Sequence, residues 1–295
     1  MNSLTFYIVD VFAEEKYAGN QLAVIRGAKA LSDSEMQRIA KEMNYSETTF
    51  ILSDEKHDGG YNVRIFTPEK EVPFAGHPTL GTACVIQQKI VKKPIETIIL
   101  NLKIGQIPVT FSYIGDYADV LWMKQIQPIF GQTLDTGSIS EILSLDVKEI
   151  DNKFPIQDVS TGIPFIIVPL KTLDALKRAR IARDKYFEFV KNTRAKAILI
   201  FCPETYNQQN DLNARVFADY YGVPEDPATG SANGCLVGYL VKNRYFGKDR
   251  INIRVEQGYE IGRPSLLLLK AEGKEGKIDV YVGGKVMMIA KGELV

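Results

Sequence analysis

The sequence is poor in the side chains that most often bind metals. Its 295 residues include only two histidines, His57 and His77, and three cysteines, Cys84, Cys202 and Cys235. Two histidines are too few for a zinc site built on several histidines, and the cysteines lack the spacing of a metal site. We therefore expect no metal. The odd number of cysteines is typical of reduced thiols, so we expect a cytoplasmic protein.

An excess of either charge and long apolar segments are also absent. Lys+Arg and Asp+Glu both number 36, so no basic surplus is available for a phosphate backbone and we expect no nucleic acid partner. The longest apolar runs, such as residues 165–170, are too short to span a bilayer, so we expect no membrane partner. Residues 1–6 lack the pattern of a signal peptide, and we expect none. The 45% hydrophobic and 24% charged residues are typical of a globular protein with a real core.

Short apolar runs predict many strands and few helices. The predicted strands are residues 4–12, 22–25, 49–52, 61–66, 98–102, 107–113 and 120–124. A helix over residues 32–44 is predicted from a capping box of Ser32 and Glu35. Segments 79–89 and 230–242 are apolar nearly all round, which is typical of buried helices. The pattern predicts an α+β protein in which strands surround buried helices.

A weak internal repeat predicts that this arrangement occurs twice. At an offset of 151 residues, Arg64 aligns with Arg215 without gaps, and Cys84 aligns with Cys235. The repeat predicts two similar halves, residues 1–127 and 128–295, with the boundary in the polar stretch 127–138. The last strand is expected in the second half or packed back on the first. The alternative is a coincidence between unrelated strand–loop–helix segments.

Two loops rich in small residues each enter a buried helix. They are residues 74–81, which contain Gly76 and His77, and residues 226–232, which contain Asp226, Gly230 and Ser231. Free amides at a helix start favour an anion, and small residues let it approach the backbone. Two matched loops therefore favour a site for a small carboxylate. The alternative is simple capping of both helices by side chains such as Asp226 or Ser231.

Glu47 lies between a predicted helix and an apolar strand. A carboxyl removed from water can both give and take a proton near neutral pH. Asp226 would strengthen this tendency if the two carboxyls shared a site. The alternative is a solvated glutamate at an ordinary helix–strand junction.

Six segments of the chain, in order, resemble the PhzF family of phenazine biosynthesis. They are VDVFAEEKYAGNQLAVI, NYSETTFI, RIFTPEKEVPFAGHPTLGTA, EDPATGSANG, EQGYEIGRPSLL and YVGGKVMMIAKGEL, and they lie along nearly the whole sequence. The resemblance implies the diaminopimelate-epimerase-like fold, with two pseudo-symmetric domains, each a curved, mostly antiparallel sheet around a central helix. It also implies an active site between the domains and a homodimer. The best-known family member isomerises a dihydro-hydroxyanthranilate without metal or organic cofactor, so no cofactor is expected.

The resemblance also implies roles for individual residues of this sequence. Glu47, His77 and Asp226 would be catalytic, with Glu47 as the acid and base. Gly76, His77, Gly230 and Ser231 would bind a small carboxylate substrate. Relatives of the same fold racemise with a pair of loop cysteines, whereas this chain has Ala75 and Ala228 in its loops. An isomerase is therefore expected; the alternatives are an epimerase or racemase without the cysteine pair and a catalytically silent binding protein.

Overall fold

The computed structural model describes residues 4–295. Residues 1–3, part of the segment that is expected not to be a signal peptide, lie outside the described residues. Its internal contacts divide the chain into two compact units. One runs to Met123 and resumes over Gly283–Val295, and the other is Lys124–Val282. The carboxy-terminal segment thus groups with the first unit. The division into two domains, residues 1–127 and 128–295, stays a prediction.

The first unit is a mixed sheet in the order β18-β1-β2-β3-β4-β6-β7-β8. Pairs β2–β3 and β4–β6 are parallel, the other neighbours are antiparallel, and β5 also pairs with β4. The strands, numbered in chain order, are β1 (Leu4–Val11), β2 (Asn20–Arg26), β3 (Thr48–Ile51), β4 (Tyr61–Phe66), β5 (Glu71–Val72), β6 (Thr97–Leu102), β7 (Gly105–Ile114), β8 (Tyr117–Lys124) and β18 (Val286–Leu294).

The second unit repeats this arrangement, with neighbours in the order β9-β10-β11-β12-β13-β15-β16. Pairs β11–β12 and β13–β15 are parallel, the other neighbours are antiparallel, and β14 pairs with β13. The strands are β9 (Ile129–Thr133), β10 (Gln157–Ser160), β11 (Pro164–Pro169), β12 (Ala197–Cys202), β13 (Leu212–Ala218), β14 (Val223–Asp226), β15 (Arg250–Gln257), β16 (Ser265–Lys274) and β17 (Lys277–Gly284). The predicted strand-rich α+β class is confirmed.

Each unit packs one buried helix against its strands. The helices are α1 (Asp33–Met43), α2 (Gly76–Ile86), α3 (Thr136–Leu143), α4 (Leu173–Arg178), α5 (Arg183–Val190) and α6 (Gly230–Lys242). Every residue of α2 is buried, as is every residue of α6 except Lys242. Helix α2 contacts β1, β2, β3, β6, β7 and β18, and α6 contacts β10, β11 and β16. Gly81 permits the close approach of α2, because a Cβ there would lie 2.6 Å from the Leu22 side chain.

The predicted helices are present, with one shifted start. Helix α1 begins at Asp33 with the predicted capping box of Ser32 and Glu35, and α6 has the predicted bounds. Helix α2 begins at Gly76 rather than at Thr79. The earlier start places Pro78 in the first turn, where its missing N–H is not needed.

The repeat also appears in side chains. Arg64 forms a two-pronged ion pair with Glu71, and Arg215 forms the same pair with Glu225. Each guanidinium also lies near the ring of the phenylalanine two residues on. The connection from this strand to the buried helix is longer in the second unit, so the ungapped alignment of Cys84 with Cys235 is wrong. Cys84 is near the end of α2, whereas Cys235 is in the first half of α6.

The two arginines differ in burial, which predicts different costs of removal. Arg215 is buried, and its Nη1 also donates to the carbonyls of Leu176 and Ala179. Arg215→Met leaves Glu225 and these carbonyls without their donor, so it should lower the free energy of unfolding by about 3–5 kcal/mol. The Arg64 side chain is 24% exposed, and Arg64→Met should cost about 1 kcal/mol or less. Urea unfolding of both variants measures this, and equal losses would contradict it.

Candidate active site

Glu47 and His77 face each other in the first unit. Oε2 of Glu47 lies 3.5 Å from Nε2 of His77, and their side chains are 19% and 7% exposed. This separation is longer than an ordinary hydrogen bond, and catalytic contacts are often long without substrate. The structure thus brings together two of the three residues predicted to be catalytic.

Local structure explains why these two residues meet. Asn44 ends α1 in a left-handed conformation, with φ of 53°, and the chain then turns through Glu47 into β3. His77 is the second residue of α2, which contacts β3. A buried hydrogen bond of 2.8 Å between the hydroxyls of Thr49 and Thr82 joins β3 to α2. The bond therefore ties the start of β3 to the body of α2, the helix that carries His77.

Burial makes the His77 imidazole neutral. It lowers the pKa of His77 from 6.5 to about 3, although a hydrogen bond to the Gln21 backbone acts in the raising direction. A backbone group that raises this pKa is one to which the ring donates. Nε2 has no hydrogen-bond partner within residues 4–295. A neutral imidazole has one donor and one acceptor nitrogen, so Nε2 is the acceptor and faces Glu47.

The start of α2 is a predicted anion site, because the first amides of a helix have no carbonyl partner within it. Ala75 occupies the cap position, and no side chain of residues 4–295 caps this helix. The Thr79 hydroxyl and the Thr79 amide both donate to the Ala75 carbonyl oxygen. The hydroxyl is therefore not used to accept a hydrogen bond from the first amides of the helix. The amides of Gly76 and His77 begin the helix, and Pro78 has none. The capping explanation is therefore wrong for this loop, and the amides fit a small anion.

The second unit has the same layout. Asp226 ends β14, and the Thr229 hydroxyl donates to its carboxylate. Gly230 and Ser231 are the first two residues of α6, and in the described part of the chain no side chain caps this helix either. The three predicted residues of this loop thus lie within one turn and the helix start that follows it.

The cysteines are unsuited to proton transfer. Cys84 and Cys235 lie inside the buried helices, and burial raises the pKa of each thiol to about 12. A thiol with such a pKa is not ionised at neutral pH. Both act as core residues, as predicted.

Other kinds of site find no support in the described chain. Residues 4–295 contain no group of three or more acidic, histidine or cysteine side chains that could hold a metal ion. Within the same residues, no helix is long and apolar enough to cross a membrane. Cavities beside Arg64 and Arg215 contain none of the predicted site residues.

Residues 9–292 match the family model of the phenazine biosynthesis-like proteins, PhzC-PhzF. The chain belongs to this family. The PhzF-family chain is 35% identical over 294 residues to trans-2,3-dihydro-3-hydroxyanthranilate isomerase of Pseudomonas fluorescens, covering 98% of this chain and 99% of that protein. It is 33% identical to the enzyme of the same name from Pseudomonas aeruginosa, covering 97% and 98%. The predicted family is confirmed, and the chain is an enzyme of the isomerase class.

Solved structures agree with the family and the fold. A PhzF-family protein of Bacillus anthracis superimposes with a TM-score of 0.91 at 26% identity, over 100% of both chains. A hydroxyproline epimerase of Agrobacterium vitis has a TM-score of 0.66 at 8% identity, over 100% of this chain and 91% of that one. The second likeness shows the shared fold alone.

Sequence reasoning missed the contribution of Gln21. Gln21 contacts His77 through its backbone, so the identity of its side chain does not indicate this contact. The only available sign is its place in the AGNQ segment that resembles the family.

The protonation of His77 can be measured directly. We expect the His77 ring to stay neutral, with its proton on Nδ1, from pH 5 to pH 8, because burial disfavours the charged form. Side-chain ¹⁵N NMR reports both charge and tautomer, and His57→Gln assigns the signals because the chain has only two histidines. A His77 signal that titrates between pH 6 and pH 7 would contradict the assignment.

Proposed function

We propose that this isomerase acts without a cofactor on a small carboxylate, and that Glu47 carries the proton. The observation that carries the proposal is the Glu47 carboxyl facing the acceptor nitrogen of the neutral, buried His77. Both lie beside a helix start without a side-chain cap. A base, a hydrogen-bond acceptor for its protonated form and an anion site are thus next to one another.

The proposed reaction is a proton shift in two steps. The Glu47 carboxylate breaks a C–H bond next to a conjugated system and forms an O–H bond. The electron pair moves through the conjugated system to a second carbon. Glu47 then returns the proton there, so the substrate is isomerised with no net oxidation and no other reactant. A carboxyl held within reach of both carbons speeds such steps, because it can take the proton from one carbon and give it to the other without moving away.

A neutral His77 supports this role better than a charged one. An imidazolium would stabilise the Glu47 carboxylate and make it a weaker base. The neutral ring instead offers Nε2 as a hydrogen-bond acceptor for the O–H of the protonated Glu47 carboxyl, so the proton stays on Glu47 between the two steps. The hydrogen bond to the Gln21 backbone keeps that nitrogen in the acceptor form.

We propose that the loop amides bind the substrate. The amides of Gly76 and His77 suit a carboxylate, and those of Gly230 and Ser231 are placed on the same pattern in the second unit. Asp226 would assist in binding and proton relay. The cleft between the two halves, the homodimer and the cytoplasmic location stay predictions.

The substrate class is a cyclic carboxylate with a conjugated double bond. Two relatives at 35% and 33% identity are named trans-2,3-dihydro-3-hydroxyanthranilate isomerase, so that compound is the first substrate to test. Epimerisation without the cysteine pair is the second candidate, since a hydroxyproline epimerase shares the fold. A silent binding protein is disfavoured by the paired Glu47 and His77.

Glu47→Gln should leave a folded protein that has lost its activity. The amide keeps the shape and an acceptor but cannot carry a proton, so kcat should fall by about a hundred- to ten-thousandfold or more. Turnover of trans-2,3-dihydro-3-hydroxyanthranilate measures this, with circular dichroism to establish folding. A substrate found by screening metabolites for solvent deuterium incorporation would replace that compound if it is not turned over.

Cysteine variants are the matched control. Cys84→Ala and Cys235→Ala should lose some stability, because they remove buried atoms, yet keep kcat within about threefold. If the cysteine variants lose turnover while Glu47→Gln keeps it, a thiol mechanism operates and the proposed role of Glu47 is wrong.

A further inference from the structure

A fully buried glutamine lies directly behind the loop that carries Asp226. Gln257 is the last residue of β15, and its side chain makes four hydrogen bonds to this loop and to α6. Nε2 donates to the Asp226 carbonyl at 2.7 Å and to the Thr229 hydroxyl at 3.2 Å. Oε1 accepts from the Thr229 amide at 3.3 Å and from the Asn233 side chain at 2.8 Å. Both ends of the amide are therefore used.

These bonds form a relay that ends on the Asp226 carboxylate. The Thr229 hydroxyl accepts from Gln257 and donates to Asp226 Oδ2. A hydroxyl has one proton, so accepting from the amide directs that proton toward the carboxylate. Gln257 thus holds the backbone of Asp226 directly and its carboxylate through Thr229.

The backbone next to Gln257 also supports the loop. Gly258 has a φ of +80°, and a Cβ there would lie 2.5 Å from the Pro227 carbonyl oxygen. The loop residue Pro227 therefore packs directly on this segment. Only glycine combines the left-handed conformation with such a close approach.

Residues 4–123 and 283–295 of the first unit contain no such arrangement, although the matching strands have the same register. Asn213 pairs with Glu256 in the second unit, and Asn62 pairs with Asn101 in the first. One residue further on, Gln257 therefore corresponds to Leu102, which cannot donate or accept a hydrogen bond. The strand topology does not require a glutamine here, so the four bonds serve the Asp226 loop.

We propose that Gln257 is a positioning residue that holds Asp226 in place for the reaction, acting through Thr229 and the Asp226 backbone. This inference rests on the proposed role of Asp226 at the active site. Gln257 is fully buried, and its action is confined to the orientation of the loop.

A double-mutant cycle with Asp226 tests the proposal. Gln257→Leu introduces the side-chain type that the first unit has at the corresponding position, Leu102, and removes all four hydrogen bonds. It should lower kcat for trans-2,3-dihydro-3-hydroxyanthranilate by about 10- to 100-fold, because a small displacement of a reacting group has an effect of this size. In an Asp226→Asn background it should change kcat by less than about twofold, since the group it positions is already lost.

The outcomes separate the inference from the proposed function. If Gln257→Leu lowers kcat equally in both backgrounds, Gln257 does not act through Asp226 and the inference is wrong. If Asp226→Asn is as active as the unaltered enzyme, the proposed role of Asp226 fails instead. Leu102→Met, a buried change at the corresponding position of the first unit, should leave kcat within about twofold.

A second variant keeps the test decisive if Gln257→Leu does not fold. Thr229→Val keeps the side-chain shape and removes only the hydroxyl that links Gln257 to Asp226. It should lower kcat by at least about fivefold with its melting temperature within a few degrees of the unaltered enzyme. An unchanged kcat in this variant would overturn the relay.

Discussion

The burial of α2 from its first residue is the constraint on which the site depends. A helix that is buried all round must bury its first amides as well, and no side chain caps them. Such amides favour an anion, and the same burial keeps His77 neutral. The packing that stabilises the first unit therefore also prepares the anion site and the acceptor nitrogen beside Glu47.

Duplication supplies a second helix start with a different chemistry. Both units share the order of their matching strands, their parallel pairs and an arginine–glutamate ion pair on the strands that precede the buried helix. The second unit has the longer connection to its helix, and this connection contains Asp226. The carboxylate there is held by Thr229 and Gln257, whereas the residue that corresponds to Gln257 in the first unit is Leu102. One scaffold thus carries two distinct sets of polar groups.

Much of this fold could be predicted from the sequence, because the apolar runs of its strands are short and clearly bounded. The strand at Tyr61–Phe66 and the helix at Gly230–Lys242 have their predicted bounds. Helices α3, α4 and α5 were missed, since each has only six to eight residues and too few turns for a clear apolar period.

The candidate site was less accessible to sequence reasoning. The helix-start loops were predicted from their small residues, whereas Glu47 was singled out firmly only by the family resemblance. The neutral state of His77 and the bonds of Gln257 depend on contacts between distant strands, which no local pattern encodes. The cysteine alignment failed because the two connections differ in length.

The central claim is that a single carboxyl both removes and returns the proton. A single-turnover reaction of trans-2,3-dihydro-3-hydroxyanthranilate, deuterated at the carbon that loses its proton, tests it most directly. The account predicts that mass spectrometry finds part of the deuterium at the new carbon of the product, because the proton stays on Glu47 between the steps. Complete loss of the label to solvent in that single turnover, with all product protons from water, would contradict it.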